Sequence, residues 1–270
     1  MKKYLYFILI LFSFLTANCE EVIEVDLDTA TEKLVIDANL YIDSENANQT
    51  QIIKLSKTVA FYATNYQPVL NAQVWIEDDL GNRYDFIDNN QNGNYECNLF
   101  VMNLVAKYTL NIISNGEIYK AEESFYQTPN IEAIEQKNDA GFLGNSFEFK
   151  IWFQDDISQQ NYYQLIDDIT GNREFSVKDD TFSNGNFMDF TVIDSDIEVN
   201  QNFNISFSET SKAYYLYMSK ILSVSQGASN PFSSPIGEIR GNIININNPD
   251  NYPLGFFSLN NTINKTILVQ

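Results

Sequence analysis

The sequence predicts a mostly β protein, with a β-sandwich over residues 33–127 and a second β-rich domain over 128–270 that carries one helix. Three observations lead there. Short segments of alternating apolar and polar residues recur at even spacing, the pattern of strands with one buried face. Clusters of Asn, Asp and Gly separate them, as tight turns require. A 44% hydrophobic content with 14% aromatics supplies material for a core and excludes a largely disordered chain.

The alternation opens at 33–42, where Leu34, Ile36, Ala38 and Leu40 share one face and Val35, Asp37, Asn39 and Tyr41 the other. Segment 72–76 runs into Asp78-Asp79-Leu80-Gly81-Asn82 and then 84–87, a hairpin turning near Gly81. Segments 95–100, 108–113 and 117–125 continue the series, with Ser114-Asn115-Gly116 as a further turn. Cys97, inside Tyr95-Glu96-Cys97-Asn98-Leu99, reads as a small buried apolar residue.

From Thr128-Pro129 to residue 145 the chain is polar and reads as a crossing to the second domain. Strands are expected there at 147–153, 162–166, 174–177, 187–193 and 203–207. The helix falls near 209–226. Ser208 would cap it, Ala213, Leu216, Tyr217, Lys220, Ile221 and Val224 follow helical spacing, and Gly227 ends it. Tyr214-Tyr215 is expected to pack on the sheet rather than form a ligand platform. An Asn-rich loop to Pro253 and two closing strands, near Phe256 and Thr266, complete the chain.

Residues 1–18 read differently. Met1-Lys2-Lys3 is a positive start, residues 4–15 are almost wholly apolar, and Thr16-Ala17-Asn18 precede Cys19. The run is shorter than the ~20 apolar residues that a membrane span needs, and the order of parts is that of a signal peptide. Cys19, directly after it, is the expected lipidation site, although Asn18 stands where such segments usually carry Gly, Ala or Ser. Residues 19–32, opening Cys19-Glu20-Glu21, form an acidic tether.

Charge and composition exclude several functions. Removing the first 18 residues, with Lys2 and Lys3 and no acid, takes the formal charge from −20 to −22. So acidic a chain repels nucleic acid, whose binding depends on Lys and Arg meeting phosphate. The chain contains no histidine, which removes Ser-His-Asp and Cys-His catalysis and His-ligated metals. No cofactor-binding motif is present, neither a phosphate loop nor a dinucleotide fingerprint.

Two chemistries stay open. Asp88, Asn90 and Asn92 place oxygens at alternate positions before Gly93, as calcium loops do, but Leu99 occupies the place of the bidentate Glu, so a hairpin turn is the better reading. The acidic pairs Asp155-Asp156, Asp167-Asp168 and Asp179-Asp180 offer material for a two-carboxylate hydrolase, which needs two carboxyls facing each other across a cleft. Solvated strand ends explain such pairs easily. Surface glycan binding is a further alternative, although both tryptophans, Trp75 and Trp152, lie in alternating strands where core packing is expected.

The chain resembles the Bacteroidota outer-membrane lipoproteins grouped as domain-of-unknown-function family 4249. The likeness rests on Cys19-Glu20-Glu21-Val22-Ile23 leading to Lys33-Leu34-Val35-Ile36, and on Ala72-Gln73-Val74-Trp75-Ile76 with Gly81. In the second half it rests on Asn161-Tyr162-Tyr163, Lys178-Asp179-Asp180-Thr181-Phe182 and Tyr214-Tyr215-Leu216-Tyr217. Asn230-Pro231-Phe232, Pro235-Ile236, Gly241-Asn242-Ile243 and Gly255-Phe256-Phe257 complete it. The resemblance implies an immunoglobulin-like or transthyretin-like first half and a palmitate-type anchor on Cys19 in the cell outer membrane. It also implies a non-enzymatic accessory role beside a TonB-dependent receptor, and it carries over no catalytic residue.

Overall fold

Where the sequence alternates, the chain is extended. The computed structural model describes residues 31–43, 45–46, 49–60, 66–169, 171–227 and 238–270. The expected signal peptide, Cys19 and the tether to residue 30 lie outside the described residues, as do Asn230-Pro231-Phe232 and Pro235-Ile236. Strands run β1 (Leu34–Asp43), β2 (Gln51–Lys57), β3 (Gln67–Pro68), β4 (Gln73–Asp78), β5 (Arg83–Phe86), β6 (Asn94–Cys97), β7 (Lys107–Ser114) and β8 (Glu117–Ser124). They continue as β9 (Ile131–Ala140), β10 (Ser146–Gln154), β11 (Tyr162–Ile169), β12 (Asn172–Asp179), β13 (Phe187–Asp194) and β14 (Asn202–Glu209). Helix α1 (Lys212–Gly227), β15 (Ile244–Asn245) and β16 (Leu254–Leu268) follow. The protein is mostly β, with one helix among the described residues.

Three sheets result. The large one runs β12-β11-β14-β16-β1-β2-β3, with β6 also on β2; a second runs β15-β8-β7-β4-β5 and a third β13-β10-β9. Period two fixes which side chains meet. Ile36, Ala38, Leu40, Phe257 and Leu259 face the five-stranded sheet and its Val74, Ile76, Tyr108, Leu110 and Ile112, forming a first core. Phe203, Ile205, Phe207, Tyr163 and Leu165 face Phe149, Ile151 and Phe153 of the three-stranded sheet, forming a second. Both cores lie under the same face of the large sheet, because β16 contributes residues of one parity to each.

Strands pair across the expected boundary at residue 127. β16 lies parallel to β1, from Val35 opposite Leu254 to Asp43 opposite Thr262, and its second half pairs antiparallel with β14. Residues 32–270 form one compact unit. The two closing strands expected near Phe256 and Thr266 are one strand of 15 residues.

Two glycines permit that closure. Gly255 has φ +105°, and a Cβ there would sit 1.9 Å from the Ile36 carbonyl oxygen; one on Gly241 would sit 1.7 Å from the Gly255 carbonyl. Beside them Asn242 imitates a strand partner. Its Nδ2 donates to the Phe257 carbonyl at 2.8 Å, and its Oδ1 accepts the Phe257 N–H at 2.9 Å.

Helix α1 covers the opposite face of the large sheet. Tyr214 and Met218 pack on Phe256, with Phe175, Val177, Tyr217 and Ile221 around them. Tyr214 is buried on the sheet, as expected of the aromatic pair, and its hydroxyl meets that of Tyr41 at 3.3 Å. The cap is Ser211, whose Oγ accepts the Tyr214 N–H at 3.2 Å; Ser208, the expected cap, belongs to β14, which runs two residues beyond the expected end at Phe207. Besides the two-residue β3 and β15, two strands were not expected. β2 alternates cleanly, whereas β9 lies in the supposed polar crossing as an edge strand whose pairing to β10 shifts register twice, which scrambles its alternation. Cys97 is buried in the first core.

Candidate functional site

Each expected site residue has a definite place. In the candidate calcium loop, Asp88 accepts the N–H of Asn92 at 3.1 Å and of Gly93 at 2.9 Å, while Asn92 Oδ1 accepts the Asn94 N–H at 3.0 Å. These oxygens close the turn between β5 and β6, and Asn90 is exposed beside them. Among the described residues no three acidic, Cys or His side chains are placed to hold a metal ion.

The acidic pairs split, because neighbours in extended chain point to opposite sides. Asp155 is buried and Asp156 exposed; Asp167 is buried and Asp168 half-buried; Asp180 is buried and Asp179 half-buried. The outer members serve surface turns. Asp156 accepts the Ser158 N–H at 2.9 Å, Asp168 the Gly171 N–H at 2.9 Å, and Asp179 the Thr181 N–H at 2.9 Å and the Tyr215 hydroxyl at 2.6 Å.

Two of the inner members meet at one end of the second core. Asp155 follows β10, Asp180 follows β12, and Glu209 ends β14 just before α1. They are only 4%, 0% and 4% exposed. Asn161 links two of them: its N–H donates to Asp180 Oδ2 at 2.9 Å and its Nδ2 to Glu209 Oε1 at 2.6 Å. Asp155 takes the Tyr163 hydroxyl at 2.5 Å and the Gly185 N–H at 2.6 Å. No Lys or Arg forms an ion pair with any of the three among the described residues.

Charge is therefore concentrated without compensation. Burial, only partly offset by the bond from Asn161 and reinforced by Asp155, Asp156 and Asp180, pushes Glu209 up to about 7. Burial also raises Asp180, with Asp155 adding to the effect, and it raises the Tyr163 hydroxyl, which donates to Asp155. At the far end of β11, burial and then Glu174 push Asp167 up to about 6.

Glu209 and Asn161 were not singled out as site residues, yet the period-two pattern held the signal for Glu209. Phe203, Ile205 and Phe207 put Glu209 on the buried face, as Phe149, Ile151 and Phe153 put Asp155 there.

The tryptophans depart from expectation. Both lie on outer sheet faces, half-buried, and not in the cores. Arg83 lies 4.5 Å over the Trp75 ring, whose Nε1 donates to Glu77 at 2.8 Å. Trp152 stacks on Phe187 at 5.2 Å with an interplanar angle of 2°. Beside Trp75 a groove of about 450 Å³ is lined by Leu70, Gln73, Arg83, Asp85, Ile87 and Gln91 among others.

Fold and site together define a three-sheet β protein whose two cores share one long closing strand, with a buried acidic cluster at the end of one core. The chain belongs to the family described as Domain of unknown function (DUF4249), which matches residues 20–266. Comparison with curated proteins finds no match. Among solved structures it is similar to a cytokine receptor complex at 8% identity and TM-score 0.25, covering 67% of this chain and 86% of that one. It is likewise similar to a two fibronectin type-III domain segment from chicken tenascin, at 9% identity and TM-score 0.22, covering 67% and 91%. These likenesses carry no functional argument.

Proposed function

We propose that this protein is a non-enzymatic accessory or binding protein of the cell envelope. It is held at the outer membrane by lipid on Cys19 and works beside a TonB-dependent uptake receptor. One observation carries the binding part. The buried carboxylates are turned into the end of a core and tied to turns, whereas the groove beside Trp75 opens on an outer sheet face with apolar and polar side chains mixed. That arrangement favours a binder over a two-carboxylate hydrolase, which needs carboxyls facing a substrate. Attachment rests on the sequence: the signal-like segment of residues 1–18 is followed directly by Cys19. Glycan binding at the same groove is the second reading, favoured by Gln73, Asp85 and Gln91, although Arg83 occupies the ring face a sugar would stack on.

Growth with labelled palmitate tests the anchor. The full-length protein is expected to carry label and Cys19→Ala to lose it, and an unlabelled native protein would remove both the anchor and the placement. Affinity purification from solubilised envelopes is expected to recover a TonB-dependent receptor, and its absence from repeated purifications would sink the partnership.

A further inference from the structure

We propose that Asp155, Asp180 and Glu209 form a proton-dependent clasp: one proton held among them keeps the ends of β10, β11, β12 and β14 gathered at the start of α1, and its loss loosens loops 155–161 and 180–186. Each of the three sits at the end of a different strand, so the cluster is where those ends are joined. Several of the bonds that tie the loops run through it. Asn161 bonds Asp180 and Glu209, Gly185 bonds Asp155, and the Asp180 N–H returns to the Asn161 carbonyl at 3.3 Å.

Two buried acceptors in the cluster lack a donor, Asp180 Oδ1 and Asn161 Oδ1. A buried acceptor without a partner is costly, and a carboxyl O–H is the donor that a protonated cluster supplies. Among the described residues, the polar groups that act most on Glu209 are acidic or neutral. The loop before β11 brings Asp155, Asp156 and Asn161, and the end of β12 brings Asp180. The segment after β8 brings Tyr126 with Glu123 nearby, and Thr128, whose Oγ1 accepts the Glu209 N–H at 2.9 Å. Beside α1, the Ser211 hydroxyl is given to Glu123 at 2.9 Å. An added negative charge therefore meets no cation and repels its neighbours. Ile157 and Phe182, at the tips of the two loops, are 76% and 99% exposed, so little apolar packing holds the tips down.

The direction follows from linkage. A carboxyl that keeps its proton more tightly when the clasp is closed favours closure at low pH, and that advantage is lost as pH rises through its closed-state value, about 7 for Glu209. With an open-state value in the ordinary carboxylate range, the opening constant rises about tenfold between pH 6 and 8.

Hydrogen exchange of the full chain, corrected for intrinsic rates, reads this directly. Loops 155–161 and 180–186 are expected to lose about tenfold in protection from pH 6 to 8, while the turn at 114–117 in the first sandwich does not change. Glu209→Gln supplies a permanent donor and should abolish the loss. Asp180→Asn should reduce it, and serves if the first variant does not fold. A ¹³C-carboxyl titration of the wild-type chain should place one Glu midpoint near neutrality. The proposal is overturned if the two loops respond no more than the reference turn, if Glu209→Gln retains the full response, or if calcium alone restores protection at pH 8.

Discussion

Asp78 and Glu209 are both buried carboxylates near the end of a core, and they behave in opposite ways. Asp78, above the first core, receives the N–H of Leu80 and of Asn82, the Asn82 side-chain amide at 2.8 Å and the Tyr84 hydroxyl. Burial alone would push it up, but those donors, the Asn82 amide foremost, hold its carboxyl below the usual range. Glu209 is buried by the second core with one side-chain donor, Asn161, and with acids for neighbours, and it is pushed up instead. Burial sets the penalty in each case, and the number of donors decides whether the charged form survives it.

The comparison can be broken most sharply at the strand the two cores share. Gly255→Val puts a branched side chain at φ +105°, into the Ile36 carbonyl, and should cost about 4 kcal/mol in urea unfolding, from backbone strain plus overpacking. Both cores are expected to fail together, since β16 lines each. Next in size, Phe153→Ala in the second core should cost ~3–4 kcal/mol. Trp75 lies over the first core and Trp152 over the second, so single-tryptophan variants report on each region separately. Coincident unfolding curves, both shifted by Phe153→Ala, are the expected result. Separate transitions would mean that the cores fold as independent domains after all.

The smallest effects sharpen the contrast between the two acids. Glu209, raised in the folded state, gives stability that is present below the unfolded-state value and lost as pH climbs to about 7. Glu209→Gln should therefore gain ~2 kcal/mol at pH 8 and nothing at pH 4. Asp78, lowered, gives stability present above its unfolded-state value and lost as pH falls. Asp78→Asn should lose ~1–2 kcal/mol at pH 7 and little at pH 2. Thermal unfolding at the paired pH values checks both signs.

Much of the fold was legible in residues 33–127, where alternation is clean and Asn115-Gly116 turns with φ of 50° and 82°. The pairing of β1 with β16 was not, because period two tells which face is buried and nothing about which distant strand lies alongside. β9 escaped because an edge strand with bulges need not alternate. The acidic cluster was half legible. The pairs around Asp155 and Asp180 drew attention, but as neighbours in sequence, whereas the structure joins one member of each across separate strands and adds Glu209 from a third. Asn161 was noted for its family motif, and its task of bonding two acids depends on tertiary geometry alone. The tryptophans were misplaced because a half-buried outer face and a core face give the same alternation.

The parallel pairing of Val35 with Leu254 has a consequence for how the chain reaches this state. A strand in the middle of the large sheet waits for a neighbour more than two hundred positions later, so its open edge stays unsatisfied while everything between is being synthesised. Completion of the large sheet belongs to residues 254–268, which pair with β1 on one side and β14 on the other. A truncation that removes them should leave the opening strand without its partner.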